Sequence, residues 1–95
     1  MEIAWTRKAL AQLEDALLYI ANENPSAASR VAVTVEERLL LLTAHSDIGR
    51  KGLVPGPREF VFTGLPYLAV YRVTGKRIEI LRFFHAAQDR PTRLS

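Results

Sequence analysis

The chain has 95 residues, of which 48% are hydrophobic and 24% charged, and it contains no cysteine. This length supports a single domain over residues 1–95, and the lack of cysteine excludes a disulfide framework and a thiolate metal site. No run of about 20 apolar residues is present, and the N-terminus lacks the basic and apolar segments of a signal peptide, so we expect a cytoplasmic protein with no membrane partner.

The net charge of +3 is unevenly distributed along the chain. Residues 1–49 carry four basic and seven acidic side chains, a balance of −3, whereas residues 50–95 carry nine basic and three acidic side chains, a balance of +6. A basic half of this kind attracts an anionic partner, either nucleic acid or an acidic protein segment. A solvated basic surface with no dedicated partner would give the same counts, so charge alone leaves both interpretations open.

The first half of the chain predicts one short strand and two helices. Glu2–Trp5 alternates polar and apolar residues, as in a strand, and Thr6 is suited to cap a helix from Arg7 to Glu23. Asn24-Pro25 predicts the start of a second helix that runs to Ala44, because asparagine caps helices and proline is tolerated at the first helical position. The expected buried positions are Leu10, Leu13, Leu17 and Ile20 in the first helix, and Ala28, Val31, Val35, Leu39 and Leu42 in the second.

The second half predicts a loop and three strands. Ser46–Pro57 is rich in glycine, proline and charge and is predicted to be a loop, and the strands follow at Arg58–Phe62, Tyr67–Val73 and Arg77–Phe84. Short glycine-containing connections join these strands antiparallel. The predicted order is β-α-α-β-β-β, an α+β fold in which a helical hairpin packs on an antiparallel sheet.

This order of elements carries short motifs that resemble the ParE/RelE superfamily of toxins over nearly the whole chain. The motifs are Ala9-Leu10-Ala11-Gln12-Leu13-Glu14-Asp15, Tyr19-Ile20, Asn24-Pro25, Gly49-Arg50, Arg58-Glu59, Pro66-Tyr67, Val70-Tyr71-Arg72 and a terminal His85-x-x-x-Asp89. The resemblance implies a toxin of a type II toxin–antitoxin (plasmid stabilisation) module. It also implies a cognate antitoxin encoded by an adjacent gene, whose acidic, partly disordered segment wraps the toxin in a hetero-oligomer.

The superfamily divides by target, and the sequence bears on both branches. The RelE branch consists of ribosome-dependent mRNA endonucleases (mRNA interferases) that work without metal. The resemblance would give Arg58 and Arg82 the stabilisation of phosphate charge, together with Arg72, and His85 the role of acid or base. The alternative for His85 is a strand-end histidine that hydrogen-bonds Asp89. In an unbroken strand, Arg82 points to the same face as Ile80 and Phe84, and His85 points to the other, unless a bulge re-aims one of them.

The ParE branch is taken to poison DNA gyrase by binding. His85-x-x-x-Asp89 followed by Arg93-Leu94 is more similar to this branch, and the lysine cluster expected of a ribosome-directed nuclease is absent, since only Arg50 and Lys51 lie between the second helix and the sheet. We therefore favour ParE, with a degenerate member that has lost toxicity as a third alternative. Residues expected to bind the target or the antitoxin are Arg50, Lys51, Arg58, Arg72, Arg82, Arg90 and Arg93.

Three further expectations come from the residues themselves. Arg58, Glu59 and Arg72 could instead form cross-strand ion pairs. Trp5, Tyr19, Tyr67 and Tyr71 are expected to be core or edge aromatics rather than platforms for stacking bases. Two histidines forty residues apart without cysteine predict no metal site, and the lack of a glycine-rich phosphate loop predicts no nucleotide cofactor.

Overall fold

The computed structural model describes residues 1–51 and 56–87. The chain forms β1 (Glu2–Trp5), α1 (Arg7–Glu23), α2 (Pro25–Ala44), β2 (Arg50–Lys51), β3 (Arg58–Val61), β4 (Tyr67–Thr74) and β5 (Arg77–His85). The two helices have the predicted bounds, and each long strand agrees with its predicted range to within one residue. Arg90, Arg93 and Asp89 lie outside the described residues.

The two helices begin where the capping residues predict. The hydroxyl of Thr6 accepts a hydrogen bond from the backbone N–H of Ala9 at 3.2 Å, and the side-chain oxygen of Asn24 accepts one from Ala27 at 3.1 Å. Both bonds satisfy backbone donors that have no partner inside their helix, and Pro25 occupies a first-turn position that needs no donor. The local sequence therefore fixes both helix starts.

The sheet has the order β1-β5-β4-β3-β2 and differs from the prediction in two ways. β1 pairs parallel with β5, so the sheet is mixed rather than antiparallel, because the two helices between β1 and the other strands act as a crossover connection. In addition, the predicted loop contains β2, a two-residue strand that pairs antiparallel with β3. The three long strands β3, β4 and β5 are joined antiparallel, as predicted.

The core lies between the helical hairpin and one face of the sheet. Its buried members are Ala9, Val35, Leu39 and Leu42 from the helices and Phe60, Phe62, Tyr67, Ala69, Tyr71, Ile78, Ile80 and Phe83 from the strands and adjoining residues. Within α2 the predicted buried face is confirmed at Val35, Leu39 and Leu42, while Ala28 and Val31 are half-buried. The expectation for Leu10 is wrong, since its side chain is 42% exposed. The inward stripe of α1 begins one residue earlier, at Ala9, about 100° away around the helix.

β5 contains a bulge that changes which face its side chains occupy. Pairing with β4 passes from Tyr71–Ile80 to Val70–Arg82, so Leu81 has no partner in the register. Before the bulge Ile78 and Ile80 point to the helices, and after it Phe83 does so. The backbone N–H and the hydroxyl of Thr6 both donate to the Ile80 carbonyl, at 3.1 and 2.8 Å, which ties the start of α1 to this irregular point.

Among the described residues, neither helix is long and apolar enough to cross a membrane.

Candidate functional site

The sheet has two faces, and the register assigns the predicted basic residues to them. We call the face opposite the helices the outer face; it carries Arg72 and Arg82, together with Leu68 and Phe84. Lys51 and Arg58 stand opposite each other in the register of β2 and β3. Both lie on the same side of the sheet as Tyr71, which faces the helices. Arg50 stands opposite Glu59 in the register. The structure therefore separates the predicted cations instead of gathering them at one point.

Arg82 is held on the outer face by an aromatic ring. Its guanidinium carbon lies 5.9 Å from the centroid of the Phe84 ring, within the range of a cation–π contact. Its Nε is buried without a hydrogen-bond partner in the described part of the chain. An arginine whose stem is covered and whose charge is unpaired is suited to contact an anionic group on a partner.

Arg72 is also on the outer face, but its charge is already paired. Its Nε donates to Oε1 of Glu79 at 2.7 Å across β4 and β5, and Arg77 lies 3.5 Å from the other carboxylate oxygen. The hydrogen bond from Arg72 is the main reason that the pKa of Glu79 lies below its usual value, and Thr74 adds a weaker bond. Arg72 therefore forms a cross-strand ion pair, but with Glu79 and not with Glu59, the carboxylate considered from the sequence.

Arg58 contacts the backbone of the segment between α2 and β3. Its Nη1 donates to the carbonyl oxygen of Gly49 at 2.9 Å and approaches that of Asp47 at 3.5 Å. This guanidinium therefore holds backbone carbonyls in place, a role that the sequence did not indicate. A role in phosphate stabilisation would require Arg58 to release these contacts.

Tyr71 holds the same segment from the core. Its hydroxyl donates to the carbonyl of Ser46 at 2.8 Å and accepts from the backbone N–H of Gly49 at 2.9 Å, and we call this pair of bonds the Tyr71 latch. Gly49 lies so close to the ring that a Cβ there would overlap the hydroxyl oxygen of Tyr71. Burial raises the pKa of Tyr71, with partial offsets from the bond to Gly49 and the charge of Arg58, so the hydroxyl keeps the proton that it donates.

The Tyr71 latch gives a physical reason for two motifs noted in the sequence. The Gly49-Arg50 pair and the Val70-Tyr71-Arg72 run are far apart in the chain, yet the latch joins them directly. Arg50 and Lys51 follow the latched glycine and form β2. Nothing in the sequence around a single tyrosine and a single glycine indicates that they touch, so the contact between Tyr71 and Gly49 could not be predicted.

His85 lies on the opposite side of the sheet from Arg82. It pairs with Tyr67 in the register, its ring meets the Tyr67 ring edge-on at 5.4 Å, and its Nδ1 accepts a hydrogen bond from the N–H of Ala87 at 3.0 Å. The bulge at Leu81 precedes both Arg82 and His85, so it leaves them on different faces. The two residues that the nuclease interpretation needs at one phosphate are therefore apart. The predicted bond from His85 to Asp89 falls outside the described residues.

The tyrosines occupy different environments. Tyr67 and Tyr71 are buried core residues, as expected, but Tyr19 is 75% exposed on the outside of α1. Within the described residues, no three His, Asp or Glu side chains are grouped so as to hold a metal ion.

Comparison with known proteins assigns the chain to a family. The model of the ParE toxin of the type II toxin–antitoxin system parDE matches residues 3–90. A protein of Sinorhizobium fredii (strain NBRC 101917 / NGR234), named "Putative toxin Y4kP", is 35% identical over 89 residues, which cover 94% of this chain and 92% of that protein. A solved structure, described as the chromosomal ParDE TA system from P. aeruginosa, matches with a TM-score of 0.79 and 33% identity over 90% of this chain and 95% of that one. The chain therefore belongs to the ParE family and is a ParE-type toxin of a type II toxin–antitoxin system.

Proposed function

We propose that this toxin arrests growth by binding DNA gyrase through the outer face of its sheet, and that a cognate antitoxin neutralises it. The observation that carries the proposal is the placement of Arg82 and His85 on opposite faces. A binding inhibitor needs an exposed recognition surface and no acid–base group beside it. The outer face offers the half-exposed guanidinium of Arg82 on an aromatic support, with no ion pair to any described residue.

The nuclease alternative has less support. Metal-independent RNA cleavage needs a proton acceptor and a proton donor close to the cations that stabilise the phosphate. Arg58 is engaged with backbone carbonyls, Arg72 is paired with Glu79, and His85 is on the other face from Arg82. No step of such a reaction brings these groups together without refolding of β5.

The antitoxin part of the proposal rests on charge and on family. A toxin of a type II system has an antitoxin partner, and the basic second half of the chain is complementary to an acidic segment. Such a segment, by folding as it binds, could cover the outer face and keep gyrase away from Arg82. Antitoxin and gyrase would both meet the toxin in the cytoplasm.

The proposal is tested with purified protein in a gyrase supercoiling assay, alongside expression without the antitoxin. We expect inhibition of supercoiling, a DNA-damage response in cells and no cuts in a reporter mRNA by primer extension. Arg82→Ala should raise the concentration needed for inhibition about tenfold. This change corresponds to the loss of roughly 1.4 kcal/mol of binding free energy, as expected for one charge-assisted contact. The control is Arg30→Ala, which removes an exposed cation from α2 and should have no effect. Ribosome-dependent cuts that disappear with Arg82→Ala would instead establish the nuclease.

A further inference from the structure

A cleft is present where α1 crosses the end of β5, on the side of the sheet that faces the helices. β1 pairs with β5 only as far as Ile80, because the chain turns at Thr6 into α1, and no other described strand pairs with the rest of β5 on that side. The side chain of Gln12 replaces part of that strand, since its Oε1 accepts a hydrogen bond from the Phe83 N–H at 2.9 Å. The open space that remains has a volume of about 380 Å³, and we call it the α1–β5 cleft.

Aromatic rings from the sheet form the floor of the α1–β5 cleft. The rings of Tyr67 and Phe83 are stacked with centroids 5.1 Å apart and an interplanar angle of 18°, and His85 meets Tyr67 edge-on. Burial raises the pKa of Tyr67, and nearby Tyr19 raises it further, so the Tyr67 phenol stays neutral in the physiological range. The floor is therefore lined by aromatic rings, among which the Tyr67 phenol is neutral in the physiological range.

The wall of the cleft on the helix side adds a carboxylate and a second exposed ring. Gln12, Asp15 and Tyr19 follow one another at spacings of three and four residues, which places them on one face of α1. Tyr19 is 75% exposed, and Asp15 has no ion-pair partner among the described residues. An exposed tyrosine ring and a carboxylate therefore stand one helical turn apart on this face of α1.

This combination of an aromatic floor and one carboxylate selects the chemistry of the occupant. A phosphate group would be repelled by Asp15, and a purely aliphatic side chain would cover the carboxylate without pairing it. An arginine satisfies both parts, because its methylene stem packs on rings while its guanidinium stacks on tyrosine and donates to a carboxylate. Lysine offers the charge without the flat surface, and it would use the two tyrosines less well.

We propose that the α1–β5 cleft binds an arginine side chain presented by a partner protein, with Asp15 pairing the guanidinium and Tyr19 and Tyr67 stacking on it. The proposal rests on the proposed function only in taking a protein as the partner. The cleft and the outer face are adjacent, because Phe84 lines the cleft and also supports the guanidinium of Arg82. The proposal also gives His85 a place in a docking surface in place of a role in catalysis.

The test is an NMR titration of the ¹⁵N-labelled chain with a blocked pentapeptide that has arginine at its centre and serine and glycine around it. Matched peptides carry citrulline, which has the same shape without the charge, or norleucine, which has the apolar stem alone. We expect saturable amide shifts confined to residues 12–19 and 83–87 with the arginine peptide, at a dissociation constant on the order of 1–10 mM. Asp15→Asn should weaken binding about fivefold or more, whereas Glu14→Gln, on the adjacent position outside the cleft, should not.

Three results would overturn the proposal. Equal shifts with the citrulline or norleucine peptide would show that the charge is not recognised. Equal losses in the Asp15→Asn and Glu14→Gln variants would show a general effect of helix charge. The lack of any saturable shift up to about 100 mM peptide would show that the cleft does not bind arginine. None of these results depends on gyrase, so a failure here is distinguishable from a failure of the supercoiling assay.

Discussion

Replacing Tyr71 with phenylalanine tests whether the Tyr71 latch stabilises the fold. The ring of Tyr71 is completely buried and stays in place in the variant, so the change removes the hydroxyl and little else. Two backbone groups then lose their partners, the N–H of Gly49, which is buried, and the carbonyl of Ser46, which is partly exposed to water. The variant therefore separates the latch from the packing of the ring.

The expected magnitude follows from the burial of those two groups. A buried donor without an acceptor costs about 1–3 kcal/mol, and a partly hydrated carbonyl loses only the net value of one hydrogen bond, about 0.5–1.5 kcal/mol. We expect the free energy of unfolding to fall by about 2–3 kcal/mol. In a domain of this size that corresponds to a drop of roughly 10–20 °C in the melting temperature.

Urea denaturation and amide exchange measure the two consequences of Tyr71→Phe separately. The midpoint of unfolding should move to lower urea with an unchanged slope, and the Gly49 amide should exchange with solvent at least about tenfold faster. Tyr67→Phe is the matched control, because the Tyr67 hydroxyl makes no hydrogen bond in the described part of the chain and its loss should cost less than about 0.5 kcal/mol. The reasoning fails if the two variants have the same stability, or if exchange at Gly49 is unaffected.

Three further predictions concern other contacts. Gly49→Ala should destabilise the protein by about 3 kcal/mol in urea, since its Cβ would overlap the ring of Tyr71, and a loss below about 1 kcal/mol would show that the segment can move away freely. Thr6→Val should cost about 2 kcal/mol by removing both a helix cap and a bond to β5, whereas retained stability would mean that water replaces the hydroxyl. Arg72 lowers the pKa of Glu79, so the ion pair stabilises the protein at pH values above 4.5, the usual pKa of this carboxyl group. This stabilisation is lost as the pH falls through the lowered pKa. The free energy of unfolding of Glu79→Gln should therefore fall less steeply than that of the wild type as the pH is lowered. Parallel curves of unfolding free energy against pH would contradict this assignment.

The sequence predicted the helices better than the sheet, and the reason is the range of the interactions involved. Helix starts depend on neighbours in the chain, so Thr6 and Asn24-Pro25 were sufficient to place them. The parallel pairing of β1 with β5 depends on contacts between the two ends of the chain, and no local pattern encodes it. β2 is only two residues long and lies in a segment whose glycines and prolines resemble a loop.

The spacing of apolar residues in β5 is consistent with the bulge, although the sequence alone did not predict it. Inward residues in a regular strand recur every second position, as Ile78 and Ile80 do, but the next inward residue is Phe83, three positions on. That extra step is what puts Phe83, and not Arg82, into the core. The hydrogen bond from Arg58 to the Gly49 carbonyl could not be predicted from the sequence, because any exposed donor near that carbonyl could form it.

The position of β5 between β1 and β4 has a consequence for the synthesis of the toxin. β5 is the last of the described strands in the chain, and β1, the first, pairs only with β5 among them. A chain that lacks β5 therefore has β1 separated from the β4-β3-β2 part of the sheet and an incomplete core, so we expect the fold to be completed only once β5 has emerged. We therefore expect a chain whose translation stops before β5 to lack the folded sheet, and with it the surfaces of the mature toxin.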